Sequence, residues 1–103
     1  MRCVTIVRFP APPPLTPEDL DTLLDAGMPP YRSVPGLIRK YFIGNREHAG
    51  GVYEWDCRAS ADAWFTAGWR AEMRARYGVE PQIEHFDLPA LVDNEAGNAR
   101  RFG

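Results

Sequence analysis

Hydrophobic and polar residues alternate in four short stretches of the chain, and each stretch predicts a β-strand. The stretches are residues 2–9, 37–43, 51–56 and 82–88, because period-two alternation over about four to eight residues is typical of strands. In the first two stretches both alternating sets are largely apolar, which is typical of strands buried on both faces. Both faces of these two strands are therefore expected to be covered.

Helical spacing of apolar residues separates the strands in two places. The first helix is expected to begin after Thr16, because Pro17 suits the first helical position and Asp19 completes a capping box. Its core-facing stripe consists of three leucines at helical spacing, Leu20, Leu23 and Leu24.

Glycines mark the second helix and the third strand. The second helix is expected to begin near Ser60, to be interrupted at Gly68 and to end at Gly78, which readily adopts a left-handed C-cap. The pair Gly50 and Gly51 predicts a bulge, or a point where another backbone or a ligand comes close. Residues 90–92 are expected to extend the last strand.

The order of elements, β-α-β-β-α-β, predicts an α+β fold of the ferredoxin-like type with a four-stranded antiparallel sheet. Right-handed crossovers place strand 3 between strands 1 and 2, with strand 4 on the other side of strand 1. Two helices cover only one face of such a sheet, so a second copy of the chain is the expected cover of the other face. The prediction is a homodimer whose two sheets pack face to face as a dimeric α/β barrel.

One domain is expected over residues 1–94, since a chain of 103 residues is too short for two independent cores. Residues 95–103 form a C-terminal tail that we expect to pack on the partner subunit. Leu91 and Val92, which precede this tail, and Phe102 within it are expected to contact the partner subunit.

Charge and composition narrow the classes of partner. The formal net charge of −2 argues against nucleic acid, because modules that bind it carry a basic excess. No apolar run approaches the roughly 20 residues that span a bilayer, and the first strand lacks the apolar core and cleavage site of a signal peptide. We therefore expect a cytoplasmic protein with no membrane partner, in which Cys3 and Cys57 are free thiols.

Common catalytic motifs are missing from the sequence: there is no glycine-rich phosphate loop, no metal-ligand spacing and no nucleophilic triad. That pattern agrees with a site that uses no metal or other cofactor. His48 and His85, the only histidines, are candidates for proton transfer because their ordinary pKa is near neutral. The alternative is that His48 is a solvated loop residue and His85 a hydrogen-bonded core or interface residue.

Aromatic side chains beside a few polar groups predict a pocket for a small, flat ligand between the sheet and the second helix. Arg39 or a tyrosine hydroxyl would fix the orientation of that ligand. The alternative is that the aromatics only fill the core and the dimer interface, which is the default for large apolar side chains. The residues expected to line the pocket are Arg39, Tyr41, Tyr53, Trp55, Trp64, Phe65 and Trp69.

Four short segments, in this order and spacing, resemble the YdhR-type mono-oxygenase family of the dimeric α/β-barrel superfamily, which includes antibiotic-biosynthesis mono-oxygenases. The segments are residues 35–40, 49–53, 77–80 and 86–87, and the likeness covers most of residues 1–94. The family commonly has a carboxylate before the Ala-Gly-Gly of the second segment, where this chain has His48. A role for that loop is therefore not carried over.

The resemblance implies a homodimer and the oxygenation of an activated aromatic substrate, such as a phenol or quinol, without metal, haem or flavin. A deprotonated substrate of this kind can itself pass an electron to dioxygen. Under that hypothesis Arg39 stabilises the anion and His48 or His85 handles the proton. The ring would be held by Trp55, Trp64 and Tyr53.

Two other functions fit the same fold. The chain could be a non-catalytic protein that binds a small hydrophobic molecule, which would give ligand-induced stabilisation without turnover. It could also be an isomerase or lyase, which needs an acid and a base but no oxygen. An RNA-binding module is disfavoured by the acidic charge and the absence of a Lys/Arg-Gly-aromatic motif.

Overall fold

The four predicted strands form one antiparallel sheet in a computed structural model of the chain, which describes residues 1–102. The strands are β1 (Arg2–Pro10), β2 (Leu37–Gly44), β3 (His48–Trp55) and β4 (Gln82–Leu88). Their order across the sheet is β2-β3-β1-β4, and all neighbours are antiparallel. The α+β class and the predicted strand order are confirmed, and the architecture is compatible with a ferredoxin-like fold.

The first predicted helix begins where its capping box indicated. Thr16 Oγ1 accepts a hydrogen bond from the Asp19 amide at 3.1 Å, and Asp19 Oδ2 accepts one from the Thr16 amide at 3.3 Å. Within residues 1–102, no helix is both long enough and apolar enough to cross a membrane. The helical elements that join the strands are α1 (Pro17–Gly27), a 3₁₀ helix (Pro29–Ser33), α2 (Arg58–Trp64) and α3 (Ala67–Tyr77).

The predicted break at Gly68 is wrong, because the second helical region breaks at Phe65 and Thr66. Thr66 starts α3, since its Oγ1 accepts a hydrogen bond from the Trp69 amide at 3.1 Å. Gly68 lies inside α3. Gly78 ends α3 at φ +79°, as predicted.

Strand β3 begins at His48 rather than at Gly51. Asn45 Oδ1 accepts hydrogen bonds from the amides of Glu47 and His48, at 2.9 and 2.7 Å, and so closes a tight turn. The close approach predicted at the glycine pair is confirmed. A Cβ on Gly50 would overlap the carbonyl oxygen of Val7, and one on Gly51 would lie 2.8 Å from Lys40 Cε.

A register shift between Leu37 and Arg39 decides which residues of β2 face the helices. Beyond the shift, Lys40 pairs with Tyr53 and Phe42 with Gly51, so both share the helix-covered face with Tyr53. Arg39, Tyr41 and Ile43 consequently face the opposite side of the sheet. We call that side the open face, because no helix packs on it.

Two apolar surfaces remain exposed. The prediction of a core stripe on α1 is wrong for Leu20 and Leu23, which are 45% and 59% exposed, because α1 packs against the 3₁₀ helix rather than across the sheet. On the open face, Tyr41 and Phe86 are 57% and 47% exposed. Strands with apolar residues on both faces are thus confirmed, while the C-terminal Phe102 covers the part of the open face around Arg2.

The C-terminal residues form a hairpin rather than an extension of the sheet, so the prediction for residues 90–92 is wrong. Strands β5 (Ala90–Asp93) and β6 (Asn98–Arg101) pair only with each other, and Pro89, which lacks an amide proton, separates them from β4. The hairpin runs across the expected boundary at residue 94. Its own chain buries Phe102, with the Arg2 guanidinium 4.0 Å from the ring centroid, whereas Val92 is 71% exposed.

Candidate functional site

The predicted space between the sheet and α2 is filled by its own aromatic side chains. Trp55 is fully buried and stacks parallel to Tyr53, with ring centroids 5.8 Å apart. Phe65 meets both rings edge-on, and Trp69 meets Phe65 edge-on at 4.9 Å. Tyr53, Trp55 and Phe65 belong to the buried core and Trp69 packs against it, which is the alternative expected for large apolar side chains.

Arg39 and Tyr41 lie on the open face, away from the other predicted substrate-binding residues. Arg39 Nε is 3.1 Å from Glu54 Oε1, and Arg2 Nη1 is 2.7 Å from Glu54 Oε2. Glu54 is itself buried, so these two arginines compensate its charge. The guanidinium of Arg39 is therefore already engaged, and it does not join Tyr53 and the tryptophans in one site.

His85 is a hydrogen-bonded histidine of the helix-covered face. Its Nδ1 lies 2.7 Å from Thr5 Oγ1, and its ring centroid lies 5.8 Å from that of Phe65. Burial lowers the pKa of His85, and the charge of Arg58 lowers it further. The lowered pKa favours the neutral imidazole, and a fully buried partner, Thr5, fixes the ring, as in the predicted alternative of a hydrogen-bonded residue.

His48 lies at the start of β3, in a shallow depression of about 150 Å³. Its amide donates a hydrogen bond to Asn45 Oδ1, and its side chain is exposed. Cα pairing places it beside Pro10, at the end of the sheet away from Cys3 and Trp55. The two candidate histidines therefore lie in different places. The depression is lined by Arg8, Ile43, Gly44, Asn45, His48 and Ala49.

A larger cleft, which the sequence did not indicate, opens between β2 and the 3₁₀ helix. Its volume is about 280 Å³, close to the lower end of the roughly 300–1,000 Å³ that is usual for ligand pockets. We call it the Lys40 cleft. It is lined by Met28, Tyr31, Arg32, Leu37, Ile38, Arg39, Lys40 and Phe42.

The ammonium group of Lys40 is surrounded by aromatic rings. Its Nζ lies 3.4 Å from the ring centroid of Tyr31, 4.2 Å from that of Phe42 and 4.6 Å from that of Tyr53. The missing side chain of Gly51 makes space for the lysine stem. Lys40 forms no salt bridge with any carboxylate of residues 1–102.

Burial lowers the pKa of Lys40 to about 7, because a cation removed from water without an anionic partner loses hydration. The attraction of the ammonium to the ring faces opposes this change. Near neutral pH, the side chain therefore exists as a mixture of amine and ammonium. Burial and the nearby Tyr31 hydroxyl raise the pKa of Tyr53, so this hydroxyl stays protonated.

One sequence signal could have found this site. Of the 12 basic residues, 11 are arginines and Lys40 is the only lysine. Arginine stays charged in proteins, whereas the lysine amine can lose its proton when buried. Of the predicted ring-binding residues, Tyr53 contacts the amine, and Trp64 stacks at a tilt on Tyr31 with centroids 5.6 Å apart.

No protein-family model matches the chain. No curated protein gives a significant match. Within residues 1–102, no cluster of three or more histidine, cysteine or acidic side chains could hold a metal ion.

Proposed function

We propose that the chain is a homodimeric mono-oxygenase that oxidises a small phenol or quinol in the Lys40 cleft without a cofactor. The observation that carries this proposal is the single lysine of the chain, held among three aromatic rings at the wall of a cleft. The resemblance to YdhR-type mono-oxygenases supports the oxygenation step, since it is closest over residues 35–53, which include Lys40.

The amine of Lys40 would take the phenolic proton. A phenol with a pKa of about 10 and an amine with a pKa of about 7 are mismatched by about 4 kcal/mol at about 1.4 kcal/mol per pKa unit. Two unit charges about 4 Å apart attract by about 4 kcal/mol at an effective dielectric constant of about 20. The resulting ammonium–phenolate pair is therefore accessible, and Tyr31 and Phe42 would hold the ring beside it.

The phenolate then supplies the electrons of the reaction. It passes one electron to dioxygen, the two radicals combine at a ring carbon, and the hydroperoxide loses water. One oxygen atom enters the ring as a quinone carbonyl and the other leaves as water, so that phenol and dioxygen give quinone and water. The protein holds the ring, returns the proton from Lys40 Nζ to the peroxide oxygen to form the hydroperoxide, and limits access of water to the anion.

Measurement of dioxygen uptake with a panel of phenols and quinols tests this function. Wild-type protein should consume dioxygen above the rate of the substrate alone, and Lys40→Met should abolish the difference. Arg76→Met is the matched control, because it removes an exposed cation of α3 that does not line the cleft. Ligand-induced stabilisation without uptake would indicate a binding protein, and turnover without oxygen an isomerase or lyase.

The open face supports the dimer. Its exposed aromatic and aliphatic side chains, including Tyr41, Ile43 and Phe86, flank the half-buried centre of the sheet. Ion pairs such as Arg8–Glu84 neutralise charge on this face. A second copy would bury this surface against an identical one, as in twofold dimers, with the sheets about 10 Å apart.

Sedimentation of a charge variant tests the dimer. Wild-type chain should sediment at twice its mass of 11.6 kDa, and Phe86→Glu should raise the dimer dissociation constant roughly a hundredfold, since an unpaired buried charge costs about 3 kcal/mol or more. Leu23→Glu is the control, because Leu23 is equally apolar and exposed but lies on α1. A dimer that Leu23→Glu breaks and Phe86→Glu leaves intact would assign the interface to α1 instead.

A further inference from the structure

The surroundings of Lys40 favour nucleophilic chemistry at its nitrogen. Enzymes obtain reactive lysines by removing the amine from water in a largely apolar site. Here the amine lies over the Tyr31 ring, borders a cleft of about 280 Å³ and has no carboxylate partner in the part of the chain that is described. A charged lysine kept only for stability would normally have an anionic partner or face water.

We propose that Lys40 forms a Schiff base with a small aromatic aldehyde or ketone that carries an acid group. The rings of Tyr31 and Phe42, together with Met28, line the cleft and fit an aromatic body. Arg32 also lines the cleft, and its guanidinium forms no ion pair within residues 1–102. That free cation fits a carboxylate, which arginine binds in a planar, bidentate manner.

The covalent step needs no additional reactant. The lone pair of Nζ attacks the carbonyl carbon, a carbon–nitrogen bond forms, and the electrons of the carbonyl π bond move to oxygen. A proton passes from nitrogen to that oxygen to give the carbinolamine. Loss of water then leaves the imine, so that one amine and one carbonyl compound give one imine and one water.

The neutral amine needed for attack is abundant at this position. Burial brings the pKa of Lys40 to about 7, so about half of the molecules carry a neutral amine at pH 7. An ordinary lysine with a pKa of about 10.4 is neutral in only about one molecule in 2,500 at that pH. The expected gain in reactive amine is therefore about 10³-fold.

Reductive trapping of the full-length wild-type chain tests the proposal. The protein is incubated under argon with p-carboxybenzaldehyde and sodium cyanoborohydride at pH 7, and peptide mass spectrometry locates the reduced adduct. The chain offers two amines, Lys40 and the exposed Met1 α-amine, which serves as an internal reference. Lys40 in the folded chain should be trapped at least about tenfold faster than in the chain unfolded in urea.

Two comparisons separate the parts of the proposal. Lys40→Arg should yield adduct only at Met1. Arg32→Gln should slow trapping of p-carboxybenzaldehyde about tenfold or more and leave trapping of benzaldehyde unchanged, since a charged hydrogen bond contributes about 1.5–3 kcal/mol. Equal trapping rates for the folded and the unfolded chain would overturn the proposal. An unchanged rate in Arg32→Gln would overturn the inference that the carbonyl compound carries an acid group.

This inference uses the cleft of the proposed function but not its oxygenation. Trapping is measured without dioxygen, so a Schiff base can form in a protein that shows no oxygen uptake. Conversely, uptake that depends on Lys40 in a protein that traps no aldehyde would retain the oxygenase proposal and reject the Schiff base.

Discussion

The two halves of the helix-covered face differ in how completely they are packed. Over β1 and β3, the sheet is covered by α2 and by Phe65, which packs against Trp55 and Tyr53. Both of these side chains are buried. Over β2, the short 3₁₀ helix provides most of the cover, and Phe42 remains 41% exposed. We call these the packed half and the loose half.

The comparison separates residues that stabilise the fold from residues available to a ligand. The packed half buries most of the aromatic residues that the sequence placed in a pocket, and their rings pack against one another. The loose half has few of them but contains the cleft and the amine of Lys40. In this chain the aromatic cluster therefore marks the hydrophobic core, whereas the incompletely packed region beside β2 contains the candidate site.

The largest expected effect comes from the packed half. Trp55→Ala should lower the free energy of unfolding by about 3–5 kcal/mol, since truncation of a buried tryptophan leaves a cavity. The matched change in the loose half, Phe42→Ala, should cost only about 1–2 kcal/mol because that ring is already partly in water. Urea unfolding followed by circular dichroism measures both.

Equal losses for the two variants would remove the distinction between the halves. If Trp55→Ala does not fold, Trp55→Phe provides the same test with a smaller cavity. Its expected cost should still exceed that of Phe42→Leu, which removes a similar part of a ring.

The loose half should give stability an unusual dependence on pH. Lys40 has a pKa of about 7 when folded, against 10.5 as its ordinary value. Between these values the unfolded chain binds more protons, so the free energy of unfolding should rise with pH. From pH 7 to 8.5 the rise has an upper bound of about 2 kcal/mol, and partial exposure of the side chain reduces it.

Between pH 7 and 8.5, the effect of Lys40 can be separated from the effects of the other groups whose pKa is shifted. His85, whose pKa is lowered from 6.5, contributes below the window, and Cys3, whose pKa is raised from 9.0, acts above it. The groups that face or border the amine are Tyr31, Tyr53, Arg32 and Arg39. Lys40→Met and Lys40→Arg should both flatten the slope, because neither side chain titrates there. A slope that both variants keep would assign it to another group.

The fold was largely predictable because local signals agreed with one another. Alternation located the strands, and the capping box of Thr16 located the start of α1. The break in the second helical region was not predicted correctly, because Gly68 is a weaker signal for a helix end than the capping hydroxyl of Thr66. The sequence could not show that the leucines of α1 stay exposed, since a stripe is apolar whether its cover is the same chain or another molecule.

The candidate site was less predictable, for two physical reasons. The register shift in β2 moves Arg39 and Tyr41 to one face and Lys40 to the other, and register is not visible in alternation alone. In addition, the environment of the Lys40 amine is formed by Gly51 of β3 and Tyr31 of the 3₁₀ helix. These residues come close to Lys40 only when the chain folds. Tyr53 was correctly placed on the helix-covered face, but as a core residue beside the site.

The smallest expected effect compares two helix caps in which a threonine hydroxyl accepts the same kind of hydrogen bond. Thr16 and Thr66 each accept a hydrogen bond from the third amide of a helix at 3.1 Å, so loss of either hydroxyl removes the same bond. Thr66→Ala should lower the global free energy of unfolding by about 1 kcal/mol, because α3 is anchored in the packed half by Trp69. Thr16→Ala should leave global stability nearly unchanged and instead accelerate amide hydrogen exchange within α1, since α1 packs mainly on the 3₁₀ helix. If both variants lose the same global stability, α1 unfolds in the same cooperative unit as the core. The loose half would then differ from the packed half in side-chain packing but not in cooperativity of unfolding.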